Sequence, residues 1–312
     1  MSDAVFEKTA IIGIGLLGSS IAHAIKAYGG SNSVALWDVD ADVRARAERL
    51  LPGSVETSAE TAVADADCVI LCTPVGVLKD VTALIGPALT PGAILTDVGS
   101  VKAKASTDMA ASAPSGVHLI PGHPIAGTEK SGPEAGFASL FQDAWHILTP
   151  LKTGDAAYDD AVARLIAFWT GLGAKVETMD PLRHDRVLAI TSHLPHLIAY
   201  NIVSTAYDME SVEQGEVVKY SAGGFRDFTR IAASDPTMWR DVFLTNKEAV
   251  LETLGRFSED LAALQRAIRW GDGDMLMREF SRARGIRKAI IDAGLDTAEA
   301  DFGRRQTEPG SD

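Results

Sequence analysis

The chain has 312 residues, a formal net charge of −13, 46% hydrophobic residues and 23% charged ones. That length suggests about two domains, and that composition is ordinary for a globular protein with a real core. The acidic balance argues against nucleic acid or an anionic membrane as partner, since both are held by an excess of Lys and Arg; a few local arginines still suffice for a small anionic substrate.

The N-terminus, MSDAVFEKTA, lacks the basic start of a signal peptide. The apolar run AIIGIGLLGSSIAHAI is too short and too broken by Gly and Ser to span a membrane. Cys68 and Cys72, the only two cysteines, fall four apart in ADADCVILCTP and so share one face of a strand. They read as buried small hydrophobes in a reducing compartment. A cytoplasmic protein with no membrane segment is the expectation.

Over the first 180 residues, short β-type runs alternate with helical stretches. TAIIGIG is a strand, LGSSIAHAIKAYG a helix, SVALWDVD a strand and VRARAERLL a helix. DCVILCTP, AILTDVGS, HLIPGHP and WHILTP are further strands. AAYDDAVARLIAFWTGLG is another helix and AKVETMD a last strand. Such alternation predicts a mainly parallel sheet covered on both faces, a Rossmann-type α/β domain over residues 1–180. After Asp180 strand-like runs become scarce, and residues 181–312 read as a helical domain. Asp180-Pro181 is an N-cap followed by proline at the first helical position. Pro195 should kink the helix that starts there. Ser234-Asp235-Pro236 repeats the signal, and the helix after it should run to about Trp270. Its stripe is Trp239, Phe243, Asn246, Val250, Leu254, Phe257, Leu261, Leu264 and Ile268, with only Asn246 polar. This apolar face is either intradomain core or a subunit interface. GDGD at 271–274 precedes a last Arg-rich helix, and the tail from about Asp301 reads as disordered.

Gly13-x-Gly15-x-x-Gly18 follows a strand and opens a helix, the context a dinucleotide fingerprint requires. Gly13 permits the turn, Gly15 lets backbone approach a pyrophosphate, and Gly18 lets helix pack on strand. The first-turn amides at Leu16 and Leu17 face the phosphates. Asp38 stands at the end of the second strand, placed to bond both ribose hydroxyls of NAD and to repel the extra phosphate of NADP. Arg44 is the first arginine after it, so NAD is the expected cofactor. Thr73 and Pro74 follow a further strand at the same end of the sheet.

His123, in GHPIAGTEKSG, should lie in that crevice beside the nicotinamide. Its imidazole suits removal of a hydroxyl proton while NAD takes a hydride. Ser100, just past AILTDVGS, either holds its tautomer or touches the substrate hydroxyl. His193 and His196 lie three apart astride Pro195; no acidic or cysteine partner has ligand spacing, so a substrate-facing His193 and a structural His196 are expected, with no metal. Arg226 and Arg230 follow a Gly-Gly turn, and arginine is the natural fork for a carboxylate.

GIGLLGSS, TDVGSVK, GHPIAGTEKSGPEAGF, TSHLPH and GGFRDFTRIAASDPTMWRD occur in this order. Together they resemble the prephenate/arogenate dehydrogenases, in particular the broad-specificity cyclohexadienyl branch, over roughly residues 8–295. The resemblance implies a nucleotide domain followed by a helical domain that forms a homodimer. It implies oxidation of a cyclohexadienol carboxylate by NAD with loss of carbon dioxide in tyrosine biosynthesis. It assigns His123 as catalytic base with Ser100 as its partner, and Thr128, Glu129, His193 and Arg226 to the substrate. No mutase domain is expected before the fingerprint and no regulatory domain after the last helix. Two alternatives compete: a β-hydroxyacid-type dehydrogenase, which would want a catalytic lysine where only Lys219 and Lys247 stand, and a non-catalytic NADH-sensing dimer.

Overall fold

The computed structural model describes residues 4–128, 130–210 and 223–292. They fall in two compact units, the first running through Thr253 and the second starting at Leu254.

The first unit is built on a six-stranded sheet of β1 (Phe6–Ile12), β2 (Ser31–Trp37), β3 (Ser54–Val55), β4 (Cys68–Leu71), β5 (Ile94–Asp97) and β6 (His118–Leu119). Its order is β3-β2-β1-β4-β5-β6, and every pairing is parallel. Parallel sheets are covered on both faces, so their central strands are buried throughout rather than on alternate residues. Cys68–Leu71 and Ile94–Asp97 are buried at every position. Successive side chains still feed opposite faces. Ile11, Cys68 and Ile70 pack with Phe168 and Trp169, whereas Ala10, Ile12, Val69 and Leu71 pack with Leu78, Ile85 and Met109. Cys72 lies against the same cluster as Cys68, as their spacing predicts, and burial pushes both thiols up.

Helices α1 (Leu16–Tyr28), α2 (Ala41–Leu50), α3 (Ala59–Val63), α4 (Leu78–Ile85) and α5 (Ala103–Ala110) connect these strands. The strand order reverses direction between β1 and β4, which opens a crevice at their carboxyl ends. A second sheet follows, of β7 (Gly122–Pro124), β8 (Trp145–Leu148) and β9 (Lys175–Thr178), with β7 antiparallel to β8 and β8 parallel to β9. HLIPGHP is therefore two strands in two sheets, not one. The corner falls at Pro121, which has no N–H to continue a ladder; its carbonyl accepts from Thr149 N at 2.8 Å.

After α6 (Ala156–Gly171), Asp180 accepts from the amides of Leu182 and Arg183, both at 3.0 Å. This caps α7 (Pro181–Leu188). The expected bend at Pro195 appears as a π-turn, Ala189–His193, leading into α8 (Leu194–Glu210). Leu194 N bonds back five residues to Ala189 O, because the next residue is a proline with no N–H to keep the ladder regular. Gly223 and Gly224 open a helix, Gly223–Thr229, in place of the expected turn. The expected single helix to Trp270 is two, Pro236–Thr245 and Lys247–Trp270. Asn246 breaks them, with φ −99 and ψ 32, its side chain turned inward to bonds described below.

Pro181–Met209 is long and apolar enough to cross a bilayer by length and composition. Its polar side chains His184, Asp185 and His193 are nevertheless buried in this unit. In the second unit, helix Gly273–Asp292 has no buried residue, and Ile268, Trp270, Met277 and Phe280 are exposed. The tail from Asp301 lies outside the described residues.

Candidate active site

The glycine turn is fixed by steric limits. Gly13 has φ +101, and a Cβ there would lie 2.6 Å from Cys72 O. A Cβ at Gly18 would lie 2.0 Å from Gly13 O, so helix and turn touch. At Gly15 a Cβ would meet nothing within 4 Å, so the backbone there is open. The first turn of α1, with buried Leu16 and half-buried Leu17, has no side-chain cap and no acidic residue. Its amides are open to an anion, which helix N-termini favour. Asp38 is tied to the turn it serves: Oδ2 accepts from Ile14 N at 2.8 Å and Oδ1 from Asp40 N at 3.0 Å. Arg44 Nη1 donates to the carbonyls of Asp38 at 2.6 Å and Val39 at 3.1 Å. Thr73, with Pro74 next to it, packs its methyl toward Gly13, and its buried hydroxyl has no partner. Open amides, an aimed carboxylate and space at Gly15 fit a dinucleotide.

One strand beyond β4, the end of β5 carries a different structure. Lys102 is fully buried and paired with the fully buried Asp97. Its Nζ also donates to Gly122 O at 2.8 Å, which anchors the residue before His123. Burial lowers the Lys102 pKa, with Asp97 opposing. The His123 ring is buried, 9% exposed. Its Nδ1 lies 2.9 Å from His184 Nε2, and His184 Nδ1 lies 2.8 Å from Asp185 Oδ1. Asp185 also accepts from the amides of Lys102 at 2.7 Å and Ala103 at 2.9 Å, closing the start of α5. Burial first, then the charges of His184 and Lys102, hold His123 well below the ordinary histidine value. It is therefore neutral near pH 7 and able to accept a proton.

His193 is fully buried. Asn246 Nδ2 lies 3.1 Å from its Nδ1 and donates to Asp185 O at 2.9 Å. Burial takes His193 down to about 4, with Asp185 opposing and the Ser100 backbone beside the ring. Its Nε2 makes no hydrogen bond of good geometry. His196 stacks on Trp239 at 3.7 Å, with Nδ1 2.9 Å from Ser192 O, the structural placement expected of it.

The fold thus gathers half-buried Ser100, His123 and His193, and separately the glycines with Asp38, Thr73 and Pro74. Nδ1 of His123 faces His184, which leaves Ser100 the second ring nitrogen or a substrate hydroxyl. Thr128 is exposed, and its hydroxyl accepts from Lys130 N at 3.2 Å. Glu129 lies outside the described residues. Arg226 is exposed on its helix, and among the described residues no hydrogen bond or ion pair ties it to the histidines. Lys102, His184, Asp185 and Asn246 were not singled out from sequence. Only Asn246 carried a signal, as the one polar residue in an apolar stripe.

A family model for the prephenate dehydrogenase nucleotide-binding domain matches residues 21–178, and one for the prephenate dehydrogenase dimerization domain matches residues 180–282. The chain is 42% identical to a cyclohexadienyl dehydrogenase of Zymomonas mobilis, over 92% of this chain and 97% of that one. It resembles the solved prephenate dehydrogenase of A. aeolicus, in complex with hydroxyphenyl propionate and NAD+, with a TM-score of 0.82 and 34% identity over 91% of this chain and 98% of that one. For a Synechocystis arogenate dehydrogenase the TM-score is 0.72 at 26% identity, over 90% and 99% of the two chains. The turn at Gly13–Gly18 precedes the first matched stretch, so its assignment stands on its own geometry.

Proposed function

The chain belongs to the prephenate dehydrogenase family, and on that premise we propose that it catalyses NAD-dependent oxidative decarboxylation of prephenate, of arogenate, or of both, in tyrosine biosynthesis. One observation carries the reading. A buried neutral imidazole, His123, lies on β7, where the preceding Gly122 N donates to Asp97 Oδ1 at the end of β5 at 3.3 Å; β5 is two strands from β1 and its glycine turn, a step of about 10 Å at ordinary strand spacing. One of its ring nitrogens is held and the other is left for a substrate.

Gly13, Gly15, Gly18 and the amides at Leu16 and Leu17 would hold the pyrophosphate, Asp38 the ribose, and Thr73 with Pro74 the nicotinamide end. NAD held there would supply the acceptor for the hydride of the ring carbinol. His123 takes the hydroxyl proton as general base, and Ser100 meets the same hydroxyl. The ring carboxylate leaves as carbon dioxide, its electron pair passes through the ring to the former carbinol oxygen, which takes a proton back from His123, and aromatisation makes the step run one way. Thr128, Glu129, His193 and Arg226 bind the substrate, Arg226 with its fork on a carboxylate. The unpartnered Nε2 of His193 and the exposed guanidinium of Arg226 support those two roles. The product is 4-hydroxyphenylpyruvate from prephenate and tyrosine from arogenate.

The nucleotide-binding domain is assigned to residues 1–180 and the helical domain to 181–312, a division the two family matches support. The helical domain forms a homodimer in the cytoplasm; exposed Leu251, Leu261, Ile268 and Trp270 support an apolar interface. The test is NADH absorbance with purified protein, NAD and either substrate in parallel. Turnover of one or both is expected. Silence with both, while NAD demonstrably binds, would defeat the reading.

A further inference from the structure

The hydrogen bonds around His123 decide where its proton sits. Asp185 is buried, and both its oxygens receive N–H groups: Oδ1 from Lys102 N at 2.7 Å and Oδ2 from Ala103 N at 2.9 Å. A carboxylate donates nothing, so the 2.8 Å contact between His184 Nδ1 and Asp185 Oδ1 has its proton on His184. A neutral imidazole carries one proton, which leaves a lone pair on His184 Nε2. That lone pair faces His123 Nδ1 at 2.9 Å. His123 Nδ1 must then donate, and the free lone pair of His123 is on Nε2.

We propose that His184 and Asp185 are positioning residues, which hold His123 as the Nδ1–H tautomer and so present its bare Nε2 to the substrate hydroxyl. The proposal deepens the reading of His123 as base and rests on it. The same chain serves the charged state. When Nε2 takes the substrate proton, the new imidazolium still donates through Nδ1 to His184, whose own N–H is backed by the Asp185 carboxylate. The adjacent Lys102 ammonium opposes that positive charge, and Asp97 and Asp185 offset it. Two linked hydrogen bonds do here what a single carboxylate does in a Ser-His-Asp triad, where replacing the aspartate by asparagine leaves the wrong tautomer. No sequence motif announces the arrangement, because His184 and Asp185 are 61 or more residues beyond His123.

The direct test is ¹⁵N NMR of the free enzyme labelled on its histidine rings. The chain has seven histidines, so the His123 signals are identified by their loss in His123→Asn. At pH 7 the expected spectrum has a protonated Nδ1 and an unprotonated Nε2 on His123. The opposite tautomer in the wild type would overturn the proposal without any further variant. Asp185→Asn should shift His123 toward the other tautomer and lower kcat on the order of 10²- to 10⁴-fold, with substrate KM changed by less than about threefold. Unchanged tautomer and kcat in that variant would also overturn it. His184→Gln supplies an amide oxygen where the Nε2 lone pair was and should keep at least about tenfold more activity than His184→Leu, since hydrogen bonding and not packing is restored; equal loss in both would assign His184 a structural role only. The spectrum needs no substrate. A confirmed tautomer with full turnover in His123→Asn would therefore sink the base assignment and leave the hydrogen-bond chain standing.

Discussion

The nucleotide corner and the histidine cluster stand at the ends of nearby strands and are built in opposite ways. The corner is backbone from a short run, Gly13 to Gly18, with Asp38 bonded back to Ile14, and it leaves its amides open. The cluster is side chains drawn from Asp97, Lys102, His123, His184, Asp185, His193 and Asn246, and its groups mostly satisfy one another. A site of open backbone tolerates exchange of side chains and rejects added Cβ atoms where the turn closes on itself, at Gly13 and Gly18. A closed set of buried polar groups fails when any member is lost, because the partner is then buried without compensation.

Lys102→Met should break the cluster hardest. It leaves the Asp97 carboxylate buried and unpaired, which costs about 3–5 kcal/mol. Lys104 pairs with Asp108 near the surface two residues away, and Lys104→Met should change stability by no more than about 0.5 kcal/mol. Urea titration of both variants separates them; equal losses would mean that burial of the Lys102–Asp97 pair is not what holds this corner.

Acidification should act on the cluster next. His123, His146, His184 and His193 are all held below the ordinary histidine value, with burial the largest cause for each. Between their folded values and about 6.5 the unfolded chain binds more protons than the folded one. Stability is then complete above about pH 6.5 and declines as the pH falls toward the His193 value of about 4. The urea midpoint should drop between about pH 7 and about pH 5; a midpoint that rises on acidification contradicts the neutral buried histidines. For catalysis the same lowering keeps the base unprotonated well into the acid range, so the acid limb of kcat/KM should lie below about pH 6.5.

The smallest effect belongs to the open corner. Asp38→Ser removes the carboxylate that repels a 2′-phosphate, and Arg44 is already held beside it by two carbonyls. The preference for NAD over NADP, as a ratio of kcat/KM values, should fall by roughly tenfold, about 1.4 kcal/mol, with no change in His123 chemistry. Equal use of both cofactors by the wild type would remove Asp38 from that role.

The same contrast explains what could be read in advance. The glycine turn, Asp38, the capped helix starts at Asp180 and Asp235 and the alternation of strands and helices are local patterns, and each is found in the structure. His123 was legible because a lone imidazole in a Gly-rich segment after a strand has few structural uses. Lys102 was not: in TDVGSVK it looks like any solvated lysine until β5 and Gly122 close over it. His184 and Asp185 are ordinary polar residues of a capped helix by sequence. Periodicity tells which face a residue takes and not what meets it, so partners 82 residues apart, such as Ala103 and Asp185, stayed hidden. The break at Asn246 had a trace, the polar gap in the stripe, but its cause lies in two hydrogen bonds to another helix.

The central claim is that binding and chemistry are separate here, NAD at the glycine turn and proton removal at His123. The most direct measurement is His123→Asn, with NAD affinity by calorimetry and kcat at saturating NAD taken on the same preparation. The account predicts unchanged affinity with turnover lowered by about 10²-fold or more. Turnover near the wild-type value, with NAD bound normally, would contradict it.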